Sequence, residues 1–329
     1  MKKWWHRWLI LPSELNRLGV IGLNQRNGRY LLPNNNRKFY RKVDDKLVTK
    51  TLAQEMGLAV PELYHVFRTQ NGLTHLSEAL AGHDSFVMKP SRGSGGRGVL
   101  VIKGRRGEKF VKASGVVITA KDVERHASEI LGGLFSLGGQ RDVAMVEACI
   151  NSHEGLSKIS YQGAPDIRVI MLHGYPVMAM LRVATRQSDG RANLHQGAIG
   201  IGIDLATGQT IHAIHHGISV HVHPDLDTEL IGLQIPGWDQ VLEMATKGYE
   251  MTGLGYLGAD LIVDETRGPV VIELNARPGL AIQLANATGL RHRFEKAKAQ
   301  AIAHPKQDWK QRLEFSVEAF AKKPTSEPA

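Results

Sequence analysis

The chain has 329 residues, 42% hydrophobic and 22% charged, with a formal net charge of +9. This balance excludes disorder, which needs low hydrophobicity with high net charge, and the length calls for two or three lobes rather than one small core. The single cysteine, Cys149, excludes internal disulfides and cysteine-based zinc sites and points to a reducing, cytoplasmic setting, while the positive charge favours an acidic partner.

In chain order, residues 1–11 combine basic side chains with Trp4, Trp5 and Trp8. Their apolar run is too short for a signal peptide, and they read either as an end packed on the fold or as a peripheral membrane contact. Residues 12–18 look helical and lead into an asparagine-rich loop ending NNNRKFYRK. Asp44 and Asp45 then open a helix in which Leu47, Leu52 and Met56 recur at helical spacing until Gly57 stops it. Residues 60–63 are extended, and 76–81 are helix-like.

The stretch FVMKPSRGSGGRGVLVI, residues 86–102, contains GSGGRG, a match to the dinucleotide-binding pattern. That pattern requires a helix after the loop, because the pyrophosphate sits on the helix N-terminus. Here Val99, Leu100, Val101 and Ile102 favour a strand, so the loop joins two strands. Exposed glycines of this kind let backbone N–H groups close over phosphates, and Lys89 ends the strand before them; a glycine hairpin without a ligand is the alternative.

Short strands at 109–112 and 116–119 follow. Thr119 and Asp122 have capping-box spacing ahead of a helix carrying Val123, Ala127, Ile130, Leu131 and Leu134. From Val143 the pattern turns to strands (DVAMVEACI, DIRVIML, YPVMAMLRVA, GAIGIGIDL, QTIHAI), then a helix over 237–253, the strands YLGADLIVD and PVVIELN, and terminal helices with Trp309, Leu313, Val317 and Phe320 on one face. The mixed order reads as α+β. Glu273 and Asn275 share one face of their strand. If the two strands pair, Asp260 faces them, giving an all-oxygen set that suits Mg²⁺ better than a softer metal. His221 and His223 would share a strand face as a metal pair, or else be surface histidines.

The segments KPSRGSGGRGV from Lys89, MVEACI, DIRV, RANLHQG, GADLIVD and IELNARPGL, in this order, resemble the ATP-grasp superfamily of carboxylate–amine ligases. Within it, the similarity is to the ribosomal-protein glutamate ligase and its α-L-glutamate ligase homologues. The resemblance spans residues 43–288, with IELNARPGL its most specific element. It implies an α+β ATP-grasp fold holding ATP between two lobes. The expected divisions are 1–42 as a reduced N-terminal extension, 43–84 as the helical part of the core, 85–147 as the small lobe with its glycine lid, and 148–329 as the large lobe with the metal site.

By the same resemblance, Lys46 and Lys89 hold ATP phosphates under the lid residues Ser94, Gly95 and Gly96. Glu147, Ala148, Cys149 and Ile150 form the hinge at the adenine edge. Asp166, Arg191 and Asn193 contact the nucleotide, and Asp260, Glu273 and Asn275 bind two Mg²⁺ ions, with Mn²⁺ as the alternative. Arg168 and Arg182 are the catalytic candidates for gripping the carboxylate and the acyl phosphate, since guanidinium offers paired donors to such groups. The implied reaction joins a carboxylate to an amine, adding glutamate or another amino acid to an acceptor, with acidic amino-acid or peptide substrates. About forty residues precede the core, too few for the N-terminal lobe of the ribosomal-protein ligases, so the acceptor does not carry over. The alternative readings are a nucleotide-binding scaffold without ligase activity and a nucleic-acid binder. The second leaves Asp260, Glu273 and Asn275 unexplained, and no nucleic-acid module is recognisable.

Overall fold

Two stretches rich in strand formers fold into two antiparallel sheets. The computed structural model describes residues 11–93 and 95–321, so the N-terminal tryptophans and Ser94 lie outside the described residues. The first sheet contains β1 (Leu63–Phe67), β2 (Phe86–Pro90), β3 (Leu100–Arg106), β4 (Lys109–Lys112), β5 (Val117–Ile118) and β6 (Ala144–Glu147), in the order β1-β6-β2-β3-β4-β5. The second contains β7 (Asp166–Leu172), β8 (Tyr175–Val183), β9 (Ile199–Ile203), β10 (Thr210–His215), β11 (Ile218–Val220), β12 (Tyr256–Asp264) and β13 (Gly268–Asn275), in the order β11-β10-β9-β8-β7-β12-β13. The α+β expectation holds.

In the first sheet, β2 alternates: Phe86 and Met88 enter a core with Ile102, Phe110, Val123, Ala127 and Ile130, while Lys89 takes the opposite face. Each of the larger apolar side chains contributes about 1.5–3 kcal/mol on burial. The helix Ala120–Leu131 that covers this core begins with the capping box of Thr119 and Asp122, worth about 1 kcal/mol. Met88 pairs with Leu100 and Phe86 with Ile102, so the glycine loop is a hairpin and no helix follows it.

In the second sheet, β7 and β8 are buried almost throughout; their half-buried positions are Asp166, Arg168 and Arg182. The helix Trp238–Thr252 lies against β12, and Trp309–Phe320 lies on β8.

Five details depart from the sequence reading. Leu134, expected on the helix that Thr119 starts, lies beyond its end at Leu131 and is exposed. Asp45 has extended backbone and accepts from Leu47 N, so it caps the helix Lys46–Glu55 instead of lying inside it. The strand expected at 60–63 forms at Leu63–Phe67, where it can pair with β6. In the last helix Leu313, Val317 and Phe320 pack on the core as expected, but Arg312 and Ser316 are buried there too, with Arg312 paired to Glu250. β11 ends at Val220, so His221 and His223 do not share a strand face. His223 is buried, with Nε2 3.0 Å from the Ala184 carbonyl and Nδ1 accepting from Asp225 N.

Candidate active site

The polar residues of β7, β8, β12 and β13 form one charged ladder across four neighbouring strands. Register sets it: Asp166 lies opposite Arg182, Arg168 opposite Asp260, and Asp260 opposite Glu273. Arg168 Nε donates to Asp260 Oδ1 at 2.7 Å and Nη2 donates to Oδ2. Arg182 donates from Nε and Nη2 to Asp166, and from Nη2 also to Asp260 Oδ2 at 2.9 Å. Asn275 Nδ2 lies 3.2 Å from Asp260 and 3.0 Å from Glu273. The two arginines are thus half-buried ion-pair members rather than surface residues, and each leaves its Nη1 group unengaged among the described residues.

Electrostatics separate the two aspartates of the ladder. Burial pushes both carboxyls up. At Asp260 the guanidiniums of Arg168 and Arg182 outweigh it and hold the group down at about 2. At Asp166 burial wins over Arg182, helped by the Asp260 charge, and the group is raised to about 6.

A second cluster sits on the first sheet. Glu147, only 2% exposed, lies between two lysines: Lys89 Nζ at 2.6 Å and Lys50 Nζ at 2.8 Å. Lys50 Nζ also donates to the Pro61 carbonyl. Burial pushes the Glu147 carboxyl up, and Lys89 and then Lys50 more than reverse this, so it is held below its ordinary value. Burial lowers the Lys50 ammonium against the pull of Glu147. Lys50 escaped the sequence reading. Its signal was there: Lys46, Thr49, Lys50 and Ala53 repeat at helical spacing, and all but Lys46 are buried.

Lys46 joins the two clusters. Its Nζ donates to the Gly93 carbonyl at 2.6 Å, at the root of the glycine loop, and stands 3.7 Å from Glu273 in the ladder. The loop is pinned at both ends. Arg92 N donates to Asp142, and the Gly98 carbonyl meets His126 Nε2 at 2.9 Å. Gly95 and Gly96 have φ of 64° and 75°, with nothing near the position a Cβ would take.

After β6, Ala148 N donates to Glu62 and the Cys149 carbonyl accepts from Arg267, while the backbone of Ile150 has no partner among the described residues. Cys149 is half-buried, its thiol donates to the Ile102 carbonyl, and burial pushes it up, which leaves a poor nucleophile. Arg191 and Asn193 make no hydrogen bond or ion pair with the ladder among the described residues: Arg191 is exposed and Asn193 caps a short turn by accepting from His195 N.

An oxygen-binding cation fits the donor set of Asp260, Glu273 and Asn275. Asp260 Oδ1 has one donor, Glu273 is 30% exposed, and the Asn275 carbonyl oxygen has none among the described residues. Among the described residues no three His, Cys, Asp or Glu side chains form a metal-ready group, so the fit needs the Asn275 amide, and the histidines of β10 and beyond supply no site. Among the described residues no helix is long and apolar enough to cross a membrane.

A family model described as sugar-transfer associated ATP-grasp matches residues 25–299. The chain belongs to this ATP-grasp family. The expectation of an ATP-grasp fold is therefore met, while the likeness to glutamate ligases stays approximate. No curated protein matches the chain. Solved structures similar to this ATP-grasp chain include the ATP-grasp ligase PsnB complexed with minimal precursor (16% identity over 83% of this chain and 63% of that one, TM-score 0.44). D-cycloserine synthetase DcsG (16%, 80% and 71%, 0.45) and D-alanyl-alanine synthetase A from Vibrio cholerae (9%, 87% and 67%, 0.46) are similar too. The chain spans 63% of the length of the PsnB chain it matches.

Proposed function

We propose that this chain is an ATP-dependent carboxylate–amine ligase that forms an amide bond through an acyl phosphate. The observation that carries the reading is Lys46, which ties the root of the glycine loop to the carboxylate end of the ladder. A phosphate chain lying between them would meet lysine at one side and a cation-binding oxygen set at the other. Lys89 and Lys46 hold the phosphates, the loop of Gly95 and Gly96 covers them with backbone N–H groups, and the backbone of Ile150, unpartnered among the described residues, meets the adenine edge. Asp260, Glu273 and Asn275 are the holders of Mg²⁺, which when bound would neutralise phosphate charge and polarise the phosphoryl group.

In the reaction the γ-phosphoryl of ATP passes to a carboxylate oxygen, leaving ADP. An amine then attacks the carbonyl carbon, loses a proton and expels inorganic phosphate. Both steps build charge on oxygen, and no protein nucleophile is required. The free Nη1 groups of Arg168 and Arg182 are aligned by their own carboxylates and supply donors to the carboxylate and the acyl phosphate. The carboxylate is an amino acid, glutamate among them, or a peptide, and the setting is cytoplasmic. The lobes divide as residues 85–147 with the lid and 148–329 with the metal site.

The test is incubation with Mg-ATP and a panel of amino acids and acidic peptides, following ADP and new amide masses. The proposal expects substrate-dependent ADP that Glu273→Ala abolishes. Background ADP that this substitution leaves unchanged would sink it.

A further inference from the structure

The Lys46–Glu55 helix borders the solvent-facing side of the molecule with a second face. Lys46 and Lys50 face the site described above, whereas Leu47, Val48 and Thr51 fall on the opposite face and border a separate cavity of about 450 Å³. Its other lining includes Arg41, Arg68, Arg92 and Arg141, with Asp45 and Asp142 as the acidic members. Both aspartates are committed elsewhere. Asp45 caps the helix and accepts from Ser91 and Arg92; Asp142 accepts from Arg92 N, Ser136 Oγ and Val143 N. Arg41, Arg68 and Arg141 have no side-chain partner among the described residues. Three uncompensated guanidiniums therefore line one recess, beside a fourth at the root of the glycine loop.

We propose that this cavity is a binding site for an organic phosphate monoester, separate from the nucleotide site. The donor count selects the ligand. A carboxylate has two oxygens and saturates with about two bidentate guanidiniums, whereas the three terminal oxygens of a phosphate can accept from all three free arginines. The volume lies within the range of small-ligand pockets, about 300–1,000 Å³, and leaves room for the organic part beside Val48 and Thr51. Because Arg92 both lines the cavity and begins the lid, the bound phosphate sits where its charge acts on the loop's anchored end.

The test is calorimetric titration of the full chain with phenyl phosphate, without nucleotide or metal, so its outcome does not depend on the ligase reading. Saturable binding in the submillimolar range is expected. Joint Arg68→Ala and Arg141→Ala should weaken it about a hundredfold, tenfold for each guanidinium removed from the phosphate. Lys89→Ala should leave it unchanged. Both arginines are exposed and unpaired, so an unaltered Tm will show that the double variant is folded; Arg141→Gln alone, expected to weaken binding about tenfold, serves if it is not. The proposal is overturned by absence of binding, by loss in Lys89→Ala with retention in the arginine variants, or by citrate binding as tightly as phenyl phosphate.

Discussion

Glu147 is the charge on which the lysine cluster of the first sheet depends, and Glu147→Gln removes it while keeping its shape. In the native chain one carboxylate, 2% exposed, serves two ammonium groups at 2.6 and 2.8 Å, leaving a net charge of +1 in a buried pocket. At an effective dielectric of about 20 each contact carries roughly 6 kcal/mol of attraction, most of which offsets the desolvation of the ions. Removing the carboxylate leaves two uncompensated ammonium groups, and removing one partner of a buried pair costs about 3–5 kcal/mol. The assay is urea unfolding at pH 7. Glu147→Gln should lose about that amount, and adding Lys50→Met should recover roughly half of it, because one of the two stranded charges goes. If Glu147→Gln unfolds within about 0.5 kcal/mol of the parent, the range of an ordinary surface change, the pocket is hydrated and the reasoning fails.

The far end of the glycine loop gives another expectation. A Cβ on Gly98 would lie 2.5 Å from the Phe135 ring at a φ of 75°, so Gly98→Ala should cost about 2 kcal/mol or more by thermal unfolding, and adding Phe135→Ala should not restore the share due to the backbone. The two aspartates of the ladder should give opposite pH dependences. Asp166, raised to about 6 from an ordinary 3.8, favours the fold when protonated, so its contribution is full below about 3.8 and is lost as pH rises through 6. Asp166→Asn should therefore gain on the parent across that window in urea titrations. Asp260, held down at about 2, contributes above about 3.8 and loses that contribution as pH falls towards 2, so Asp260→Asn should flatten the acid limb.

How much of this could be read from the sequence depended on distance along the chain. Period and punctuation within a dozen residues located the glycine hairpin, the capping box of Thr119 and the pair of strands that brings Asp260 opposite Glu273. The pairing of Arg168 and Arg182 with Asp260 was hidden, since Asp260 lies 92 and 78 residues away and only the order of β8, β7 and β12 makes them neighbours. Lys50 was legible as a lysine on a buried helical face, yet its partner Glu147 is on another element. Asp45 shows the limit of periodicity: two successive aspartates both suit a helix start, and the Ser91 and Arg92 contacts select the second as the cap. His223 failed because the alternation of HVH suggests a strand, whereas its ring is buried against the Ala184 carbonyl.

Trapping the activated carboxylate tests the central claim most directly. With Mg-ATP, the carboxylic acids of the substrate panel and hydroxylamine in place of the amine, the account expects a hydroxamate formed in step with ADP, and neither product from Glu273→Ala. ADP released without hydroxamate, at a rate that no carboxylate changes, would contradict an acyl phosphate and with it the ligase assignment.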